Sequence, residues 1–399
     1  MHPSDYIQLE KEYGAHNYSP LDVVIERGDG VWVFDVEGKK YLDCLSSYSA
    51  VNQGHVHPVI LKAMIDQASK VTLVSRAFRN DQLPLWYQDM SRLTGFNMAL
   101  PMNTGAEAVE TALKIARKWA YVCKNIPRYQ AEIIIASGNF HGRTISIVSF
   151  STEDLYKKDF GPFTPGFKVC QYGNYQELES LVTKNTAAVL IEPIQGEGGV
   201  IVPPEGYLKQ ISRLCKKENI LLLLDEIQTG LGRTGKMFAF EYDDVRPDIL
   251  ILGKALSGGF YPVSAIAADK SILGLFSPGE HGSTFGGSPL AARVSRAAIS
   301  VLFDENMVDN SAKMGHYFMA CLKEINSKHI KEVRGKGLMI GVELYPEAGG
   351  ARKFCEALMS KGILCKETHQ NVIRLTPPLI IQKSTIDWAL DRIREVLSI

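Results

Sequence analysis

The chain has 399 residues, 45% hydrophobic and 22% charged, a length and balance that predict a folded protein of two or more domains. Lysine plus arginine and aspartate plus glutamate each number 44, so the formal net charge is zero. The lack of a basic excess argues against nucleic acid or an anionic membrane surface as a partner.

The cysteines and the N-terminal residues indicate in which cellular compartment the protein is expected. Seven cysteines are scattered along the chain without a CxxC pair, as expected for buried free thiols in a reducing compartment. The first residues lack the basic and apolar regions of a signal peptide, and no apolar stretch reaches about 18 residues. We therefore expect a cytoplasmic protein.

The chain begins with turn-rich sequence and then alternates strands and helices. Residues 30–43 predict a hairpin with its turn at Glu37-Gly38, and a helix is predicted from about Pro58 to Ser69. From about residue 99, strand-like and helical segments alternate, as a parallel sheet with crossover helices requires. The strands there are predicted at Glu132–Ala136, Ala187–Ile191, Ile220–Leu224, Asp248–Leu252 and Ser264–Ala268.

The pattern changes near residue 290, where longer helices dominate. The elements predicted there are helices at Pro289–Phe303, Asp309–Ser327, Ala351–Lys361 and Lys383–Leu397, with strands at Leu338–Leu344 and Val372–Leu375. We therefore predict an α/β fold with a large domain over residues 51–294. Residues 1–50 and 295–399 would form a smaller α+β domain.

Two apolar runs end at an acid and at an amine. The run that begins at Ile220 stops at Asp225, and the run after Asp248 ends at Gly253-Lys254. Open α/β sheets bind ligands at the carboxyl ends of their strands. A lysine there can form a Schiff base with pyridoxal phosphate, and a carboxylate can keep the pyridine nitrogen protonated. For either residue alone, a plain strand end that faces water is the better interpretation; the flanking motifs favour the cofactor.

Small residues and an aromatic lie where a phosphate and a flat ring could bind. Gly105 and Ala106 begin a helix after Thr104, and the free N–H groups of a first turn bind phosphate. A well-capped structural helix is the alternative. Phe140 follows a strand and could stack on a pyridine ring, while Arg143 could bind a carboxylate. The alternatives are a core aromatic and a surface ion pair.

Three further side chains are candidates. Glu197 lies among glycines that allow close approach to a ligand, and Thr284 lies in a small-residue loop with a hydroxyl able to bind phosphate. Arg374 has apolar neighbours, which implies an anionic partner, although locally a structural salt bridge is the alternative. The nine histidines have no metal-binding spacing, so we expect no metal site. The glycine loops do not match nucleotide-binding templates.

The stretches Leu223–Gly230 and Gly253–Gly259 resemble the signature of class III aminotransferases. Members of that class have the type I pyridoxal phosphate fold, whose large domain carries a mostly parallel seven-stranded sheet. The resemblance implies that Lys254 binds the cofactor and moves the proton, and that Asp225 pairs with the pyridine nitrogen. It implies further cofactor contacts from the amides of Gly105 and Ala106, from Phe140 and Ile227 on the ring faces, from Gln228 at the ring hydroxyl, and from Thr284 of the other subunit. The resemblance therefore implies a homodimer, or a larger assembly of dimers, with shared active sites.

Within that class, residues 14–18 and 46–55 are similar to the ornithine aminotransferase family. The resemblance implies that Tyr18 and Arg143 hold the α-carboxylate end of L-ornithine, and Tyr48 distinguishes this family from its relatives. The δ-amino group would pass to 2-oxoglutarate, giving glutamate and glutamate 5-semialdehyde, which cyclises to pyrroline-5-carboxylate. At His141 some members carry tryptophan, while many other class III enzymes carry histidine.

Two substrates of different charge would use this site in turn. The reacting carbon of ornithine bears no carboxylate, so Arg374 would be left unpaired at a high energetic cost unless Glu197 neutralised it. Glutamate or 2-oxoglutarate would bind Arg374, and Glu197 would then swing away. Acetylornithine and 4-aminobutyrate aminotransferases are the closest alternatives. A non-catalytic binding protein on the same fold would be expected to lack Lys254 or Asp225, and both are present.

Overall fold

A computed structural model describes residues 1–398, and in this part of the chain the strands form three sheets. The strands are β1 (Ile25–Asp29), β2 (Trp32–Asp35), β3 (Lys40–Asp43), β4 (Met98–Met102), β5 (Glu132–Ala136), β6 (Phe167–Cys170), β7 (Thr186–Ile191), β8 (Leu221–Asp225), β9 (Ile249–Leu252), β10 (Ser264–Ala268), β11 (Ile330–Lys336), β12 (Met339–Leu344), β13 (Ile363–Leu364), β14 (Lys366–Thr368) and β15 (Val372–Leu375).

Helices surround these sheets. The α-helices are Pro3–Tyr13, Pro58–Ala68, Leu83–Thr94, Gly105–Val122, Ile145–Val148, Asp154–Lys157, Tyr175–Leu181, Tyr207–Glu218, Lys270–Leu273, Pro289–Asp304, Met307–Lys323, Arg352–Ser360 and Lys383–Leu397. Shorter 3₁₀ helices cover Ala239–Asp243, Lys254–Ser257 and Pro346–Ala348, and a helical turn covers Ser46–Ser49. Across residues 1–398, none of the helices has the length and apolarity needed to span a bilayer.

The central sheet has seven strands in the order β4-β10-β9-β8-β7-β5-β6. Its strands from β9 to β6 run parallel, whereas β10 is antiparallel to both β4 and β9. The predicted α/β fold with a mostly parallel seven-stranded sheet is therefore confirmed. β7, β8 and β9 are buried along their whole length because helices cover both faces, Gly105–Val122 on one and Tyr207–Glu218 on the other.

The predicted strands of the large sheet agree closely with the structure. β5 and β10 have the predicted bounds, and the other three differ by one residue at one or both ends. The two edge strands, β4 and β6, were not predicted. These strand ends matter for the site, because β5, β7, β8 and β9 all end at the same edge of the sheet.

The two smaller sheets join the beginning of the chain to its end. The predicted hairpin forms β2 and β3, and β3 pairs in parallel with β13, with Leu42 opposite Ile363. The second small sheet has the order β11-β12-β15-β14, and its pairs are antiparallel. The domain division at residues 50 and 294 stays a prediction. The helix Pro3–Tyr13 was not expected in the turn-rich N-terminal sequence.

Candidate active site

A cavity of about 190 Å³ lies at the carboxyl edge of the central sheet. β8 and β9 are neighbours and parallel, so the last residue of β8, Asp225, and Lys254 after β9 reach the same cavity. Seven of the eight residues predicted to contact the cofactor line it, namely Gly105, Ala106, Phe140, Asp225, Ile227, Gln228 and Lys254. Thr284 is exposed and is not among the lining residues in the described part of the chain.

Lys254 follows Gly253 at the start of a short 3₁₀ helix, with a backbone φ of +47°. Burial lowers the pKa of its amine, against the opposing charge of Glu197. A lowered pKa increases the fraction of neutral amine, which is the form that attacks a carbonyl carbon. The environment of Lys254 is therefore suited to a nucleophilic amine.

Asp225 is held in one orientation by two hydrogen bonds. Its Oδ2 lies 2.7 Å from Nδ1 of His141, and its Oδ1 accepts the N–H of Ile227 at 3.0 Å. Burial alone would lower the pKa of His141, but the hydrogen bond and charge of Asp225 outweigh it, so that the pKa is raised. His141 is 3% exposed. The pair keeps a carboxylate fixed at the cavity wall.

The helix Gly105–Val122 presents its N-terminus to the cavity. Thr104 Oγ1 accepts the N–H of Glu107 at 3.2 Å, and Glu107 Oε2 accepts the N–H of Thr104 at 2.8 Å. The predicted capping box is present, and it leaves the N–H groups of Gly105 and Ala106 for another acceptor. A Cβ added at Gly105 would lie 3.0 Å from Ile227, so a small residue keeps this wall open.

Arg374 and Glu197 form an ion pair beside the cavity. Nη1 of Arg374 donates to Oε1 of Glu197 at 2.6 Å, and Arg374 is 1% exposed. Burial raises the pKa of Glu197, but the positive charges of Arg374 and Lys254 outweigh it, so the net shift is downward. Gln228 Nε2 also donates to Glu197 at 3.2 Å. The arginine predicted to need an anionic partner has one.

The loop that carries Glu197 is tied to the small sheet through its backbone. Thr368 Oγ1 donates to the carbonyl of Glu197 at 2.6 Å. Arg334 donates to the carbonyls of Gly199 and Val200 at 2.7 and 3.0 Å. A fixed backbone leaves the carboxylate of Glu197 free to move by side-chain rotation.

Tyr48 lies on an unusual stretch of backbone. Ser46, Ser47, Tyr48 and Ser49 all have left-handed φ values, from 47° to 73°. This conformation costs about 1–2 kcal/mol per residue for residues with a Cβ. The centre of the Tyr48 ring lies 4.8 Å from Cζ of Arg374, so the strained turn brings an aromatic face to the buried guanidinium.

Tyr18 and Arg143 lie outside the first cavity. Tyr18 is 70% exposed and lines a neighbouring pocket together with Tyr48. The guanidinium of Arg143 lies 4.5 Å from the ring centre of Tyr156 and 5.7 Å from that of Phe140. The surface ion pair considered for Arg143 is absent from residues 1–398. Its cation is therefore not neutralised by a carboxylate of this part of the chain.

One buried acid at the cavity, Glu192, was not predicted from the sequence. Glu192 follows β7, lines the cavity, and accepts the N–H of Phe140 at 3.1 Å. Burial raises its pKa to about 7. The contact between His141 and Asp225 was also missed. The sequence did contain a signal for both residues. His141 and Glu192 follow strands that end at the same edge of the sheet, so their side chains could have been predicted to lie near Asp225.

The residues present fit pyridoxal phosphate. Gln228 Oε1 is buried without a partner in the described residues, and it faces the same cavity as the free first-turn N–H groups of Gly105 and Ala106. A fixed carboxylate, an amine of lowered pKa and an aromatic wall complete the lining. This set matches a flat ring with a basic nitrogen, a phosphate, a hydroxyl and an aldehyde.

Comparison with known proteins gives the class. The family profile Aminotransferase class-III matches residues 13–397, so the chain belongs to the class III aminotransferase family. Its expected type I fold is confirmed by solved structures. The ornithine aminotransferase of Toxoplasma gondii has a TM-score of 0.98 and 43% identity, covering 100% of this chain and 95% of that one. The acetylornithine aminotransferase of Elizabethkingia anophelis has a TM-score of 0.91 and 47% identity, covering 100% and 99%.

Within the family, the chain is similar over nearly its whole length to ornithine aminotransferases. The ornithine aminotransferase of Brevibacillus brevis is 58% identical over 393 residues, which is 98% of each chain. The ornithine aminotransferase of Bacillus subtilis is 56% identical over 393 residues, covering 98% of this chain and 97% of that one.

Proposed function

We propose that this chain is a pyridoxal-phosphate-dependent aminotransferase that moves the δ-amino group of L-ornithine to 2-oxoglutarate. The products are L-glutamate and glutamate 5-semialdehyde, which cyclises to pyrroline-5-carboxylate. The observation that carries the proposal is the buried Arg374–Glu197 pair, 2.6 Å apart, beside the aromatic face of Tyr48. Its support is the similarity to curated ornithine aminotransferases over 98% of the chain.

The cofactor would sit in the cavity at the sheet edge. When bound, pyridoxal phosphate supplies an electron sink for the carbon that exchanges its amine. Lys254 would hold the cofactor, and its amine would carry the proton that moves at that carbon. Asp225, fixed by His141, would keep the pyridine nitrogen protonated. The remaining contacts proposed are the amides of Gly105 and Ala106 to phosphate, Phe140 and Ile227 on the ring faces, and Gln228 at the ring hydroxyl.

The two substrates would be distinguished by charge. For ornithine, Tyr18 and Arg143 hold the α-carboxylate, and Glu197 stays on Arg374, so that the buried guanidinium keeps a counter-ion. For 2-oxoglutarate or glutamate, the α-carboxylate takes the place of Glu197 on Arg374, while the distal carboxylate reaches Arg143. The fixed loop backbone makes this exchange a rotation of one side chain.

The second candidate is acetylornithine aminotransferase, favoured by the similarity to the Elizabethkingia anophelis enzyme at 47% identity. Acetylornithine also donates its δ-amine, but its α-nitrogen is acylated. The pocket formed by Tyr18 and Tyr48 is where the two activities would differ. 4-Aminobutyrate, which lacks the α-carboxylate and α-amine of ornithine, is the third amino donor to compare.

We also propose a homodimer, or an assembly of such dimers, with Thr284 binding phosphate in the partner's cavity. Thr284 is exposed, and its loop is held in place, since Asn103 Nδ2 donates to Ser283 Oγ at 2.8 Å. An ordered, exposed loop with a hydroxyl is suited to reach across an interface. The cytoplasmic location stays a prediction.

The deciding experiment is an absorbance titration of the purified protein with ornithine and then with 2-oxoglutarate, with trapping of pyrroline-5-carboxylate. Loss of the yellow band, its return and trapped product are expected. A yellow protein that responds to acetylornithine or 4-aminobutyrate but not to ornithine would move the chain to a sister activity. A protein that takes up no pyridoxal phosphate would overturn the proposal.

A further inference from the structure

The left-handed turn Ser46–Ser49 is the most unusual backbone segment near the site. Four consecutive residues with a Cβ have φ values between 47° and 73°. Residues of this kind visit that region singly and seldom in runs. A strained segment persists only where surrounding contacts determine it. The contacts that hold this turn therefore fix the position of Tyr48.

Asp43 caps the turn from one side. Its Oδ1 accepts the N–H groups of Leu45 and Ser46, both at 2.8 Å. Its Oδ2 lies 2.7 Å from Nε2 of His55. His55 is itself anchored, because its backbone exchanges hydrogen bonds of 2.7 and 3.1 Å with Gly30. Both oxygens of the buried carboxylate are thus engaged, one by the turn and one by an anchored imidazole.

The other side of the turn is tied to the strand that carries Arg374. Thr376, two residues further along, donates its N–H to the carbonyl of Cys44 at 2.7 Å and its hydroxyl to that of Leu45 at 3.0 Å. Hydrogen bonds to Asp43 and Thr376 therefore fix the backbone that leads into Tyr48 relative to the strand that carries Arg374.

The guanidinium of Arg374 has few partners. Nη1 donates to Glu197, and the ring of Tyr48 covers one face at 4.8 Å. Nε is buried without a partner in the part of the chain that the structure describes. When Glu197 turns away to admit a dicarboxylate, the Tyr48 ring is the contact that remains. Cation–π contacts of a desolvated guanidinium are stronger than exposed ones.

We propose that Asp43 and His55 are positioning residues that hold Tyr48, and through it Arg374, ready for the dicarboxylate substrate. The inference rests on the proposed function, in which Arg374 binds the α-carboxylate of 2-oxoglutarate. It adds two residues that line the neighbouring pocket rather than the cofactor cavity, and that act on Arg374 through Tyr48.

The test compares Asp43→Ala and His55→Ala with the wild-type holoenzyme. We expect the KM for 2-oxoglutarate to rise about fivefold or more, because Arg374 loses its aromatic support. At saturating ornithine, the single-turnover rate should fall by a smaller factor than the KM for 2-oxoglutarate rises. Glu197 still pairs with Arg374 in that half-reaction, although Tyr48 also lines the pocket proposed for ornithine. Crystal structures of the variants should show the Tyr48 ring displaced from Arg374.

A rescue and a matched control separate positioning from general destabilisation. Ser47→Gly added to Asp43→Ala should lower the KM for 2-oxoglutarate towards the wild-type value, because glycine adopts a left-handed φ without a side-chain penalty. His57→Gln removes another histidine–carboxylate pair, with Glu305 at 3.0 Å, and should leave both half-reactions unchanged.

Equal losses in both half-reactions, or an unchanged KM for 2-oxoglutarate, would overturn the inference. Should Asp43→Ala not fold, His55→Ala decides alone. A wild-type protein that ignores ornithine would contradict the proposed function instead. The KM for 2-oxoglutarate would then be measured with the amino donor that the enzyme does accept, and the same rise would still be required.

Discussion

The buried guanidinium of Arg374 needs a counter-ion, and the carboxylate of Glu197 provides it. The guanidinium is 1% exposed, and its ion pair with Glu197 compensates for the loss of solvent. Glu197 is in turn stabilised as an anion by Arg374 and Lys254, which lower its pKa. Without substrate, Glu197 therefore stays paired with Arg374. Another carboxylate must take its place before it can leave.

Glu197→Ala is expected to damage the ornithine half-reaction more than the glutamate half-reaction. Without the carboxylate, ornithine would have to bind beside an unpaired buried cation, whereas glutamate brings its own carboxylate. We expect a difference of about tenfold or more between the two losses. Single-turnover absorbance changes with each amino acid measure both rates. Equal losses would contradict the charge argument, and Glu205→Ala, at an exposed carboxyl, serves as the control.

A second buried acid should make stability depend on pH. Burial raises the pKa of Glu226 to about 7 from the ordinary value of 4.5, although Thr229 and the N–H of Phe240 donate to its carboxyl. The folded state thus binds the proton more tightly than the unfolded state. The stabilisation is complete below about pH 4.5 and is lost as the pH rises through about 7.

Glu226→Gln should therefore flatten the decline of stability between about pH 5 and pH 8. The free energy of unfolding from urea denaturation, measured at several pH values, provides the test. Glu192, whose pKa is also raised to about 7, remains in the variant, so a smaller decline should persist. Parallel profiles for the variant and the wild type would rule out this role for Glu226, and Glu205→Gln should leave the profile unchanged.

Sequence patterns identified the site residues that follow strands. They missed the residues whose role depends on a partner far away in the sequence. Asp225 and Lys254 stand at the ends of apolar runs, so their convergence follows from the geometry of a parallel sheet. His141 contacts Asp225 across 84 residues of sequence, and local pattern does not encode that distance. The left-handed backbone at Tyr48 was equally invisible, because its residues are serines rather than the glycines that usually mark such φ values.

At the scale of elements, burial decided what could be predicted. β7 and β8 are continuous apolar runs bounded by polar residues, and such runs indicate strands buried on both faces. The helix Pro3–Tyr13 has no buried residue, so no apolar stripe marks it. β11 has one buried residue among seven and was also missed. Surface elements with few buried residues were thus missed. The helix Leu83–Thr94 was missed as well, although its Trp86 and Met90 are buried in the core.

One close approach between elements gives a prediction about packing. Gly315 lies in the helix Met307–Lys323, and a Cβ added there would lie 2.0 Å from the carbonyl oxygen of Gly337. Backbone is the obstacle, so it cannot be relieved by a side-chain rotation. Gly315→Ala is expected to lower the free energy of unfolding by about 3 kcal/mol.

Urea denaturation of Gly315→Ala provides the measurement. Lys313→Ala, on the exposed side of the same helix, is the matched control and should stay within about 0.5 kcal/mol of the wild type. A Gly315→Ala protein as stable as this control would show that the helix can move away from residue 337 at little cost.

At the scale of the whole molecule, the proposed dimer can be tested by complementation. Lys254→Ala and Thr284→Ala place their defects in different parts of a shared site. If Thr284 acts in the partner's cavity, each mixed dimer holds one site with both residues intact. Refolding the two variants together should therefore restore activity that neither has alone, with the Lys254→Ala protein contributing none by itself.

The measurement compares the activity of the two variants refolded together with their activities after separate refolding, at equal protein concentration. Recovery above the sum of the separate activities supports a site shared between subunits. No recovery, although mixed dimers are isolated with two affinity tags, would mean that Thr284 does not act across the interface. Thr183→Ala, at a position remote from the cavity, controls for general effects of a lost hydroxyl.

The parallel pairing of β3 with β13 bears on how the chain is made. Leu42 lies opposite Ile363, so an early hairpin receives its neighbouring strand only after about 320 further residues have been synthesised. The central sheet, by contrast, is complete once residue 268 has emerged from the ribosome. Tyr48 follows β3 and meets Arg374 close to the C-terminus. Nascent chains should therefore become competent for transamination only as translation ends, after the cofactor cavity has already formed.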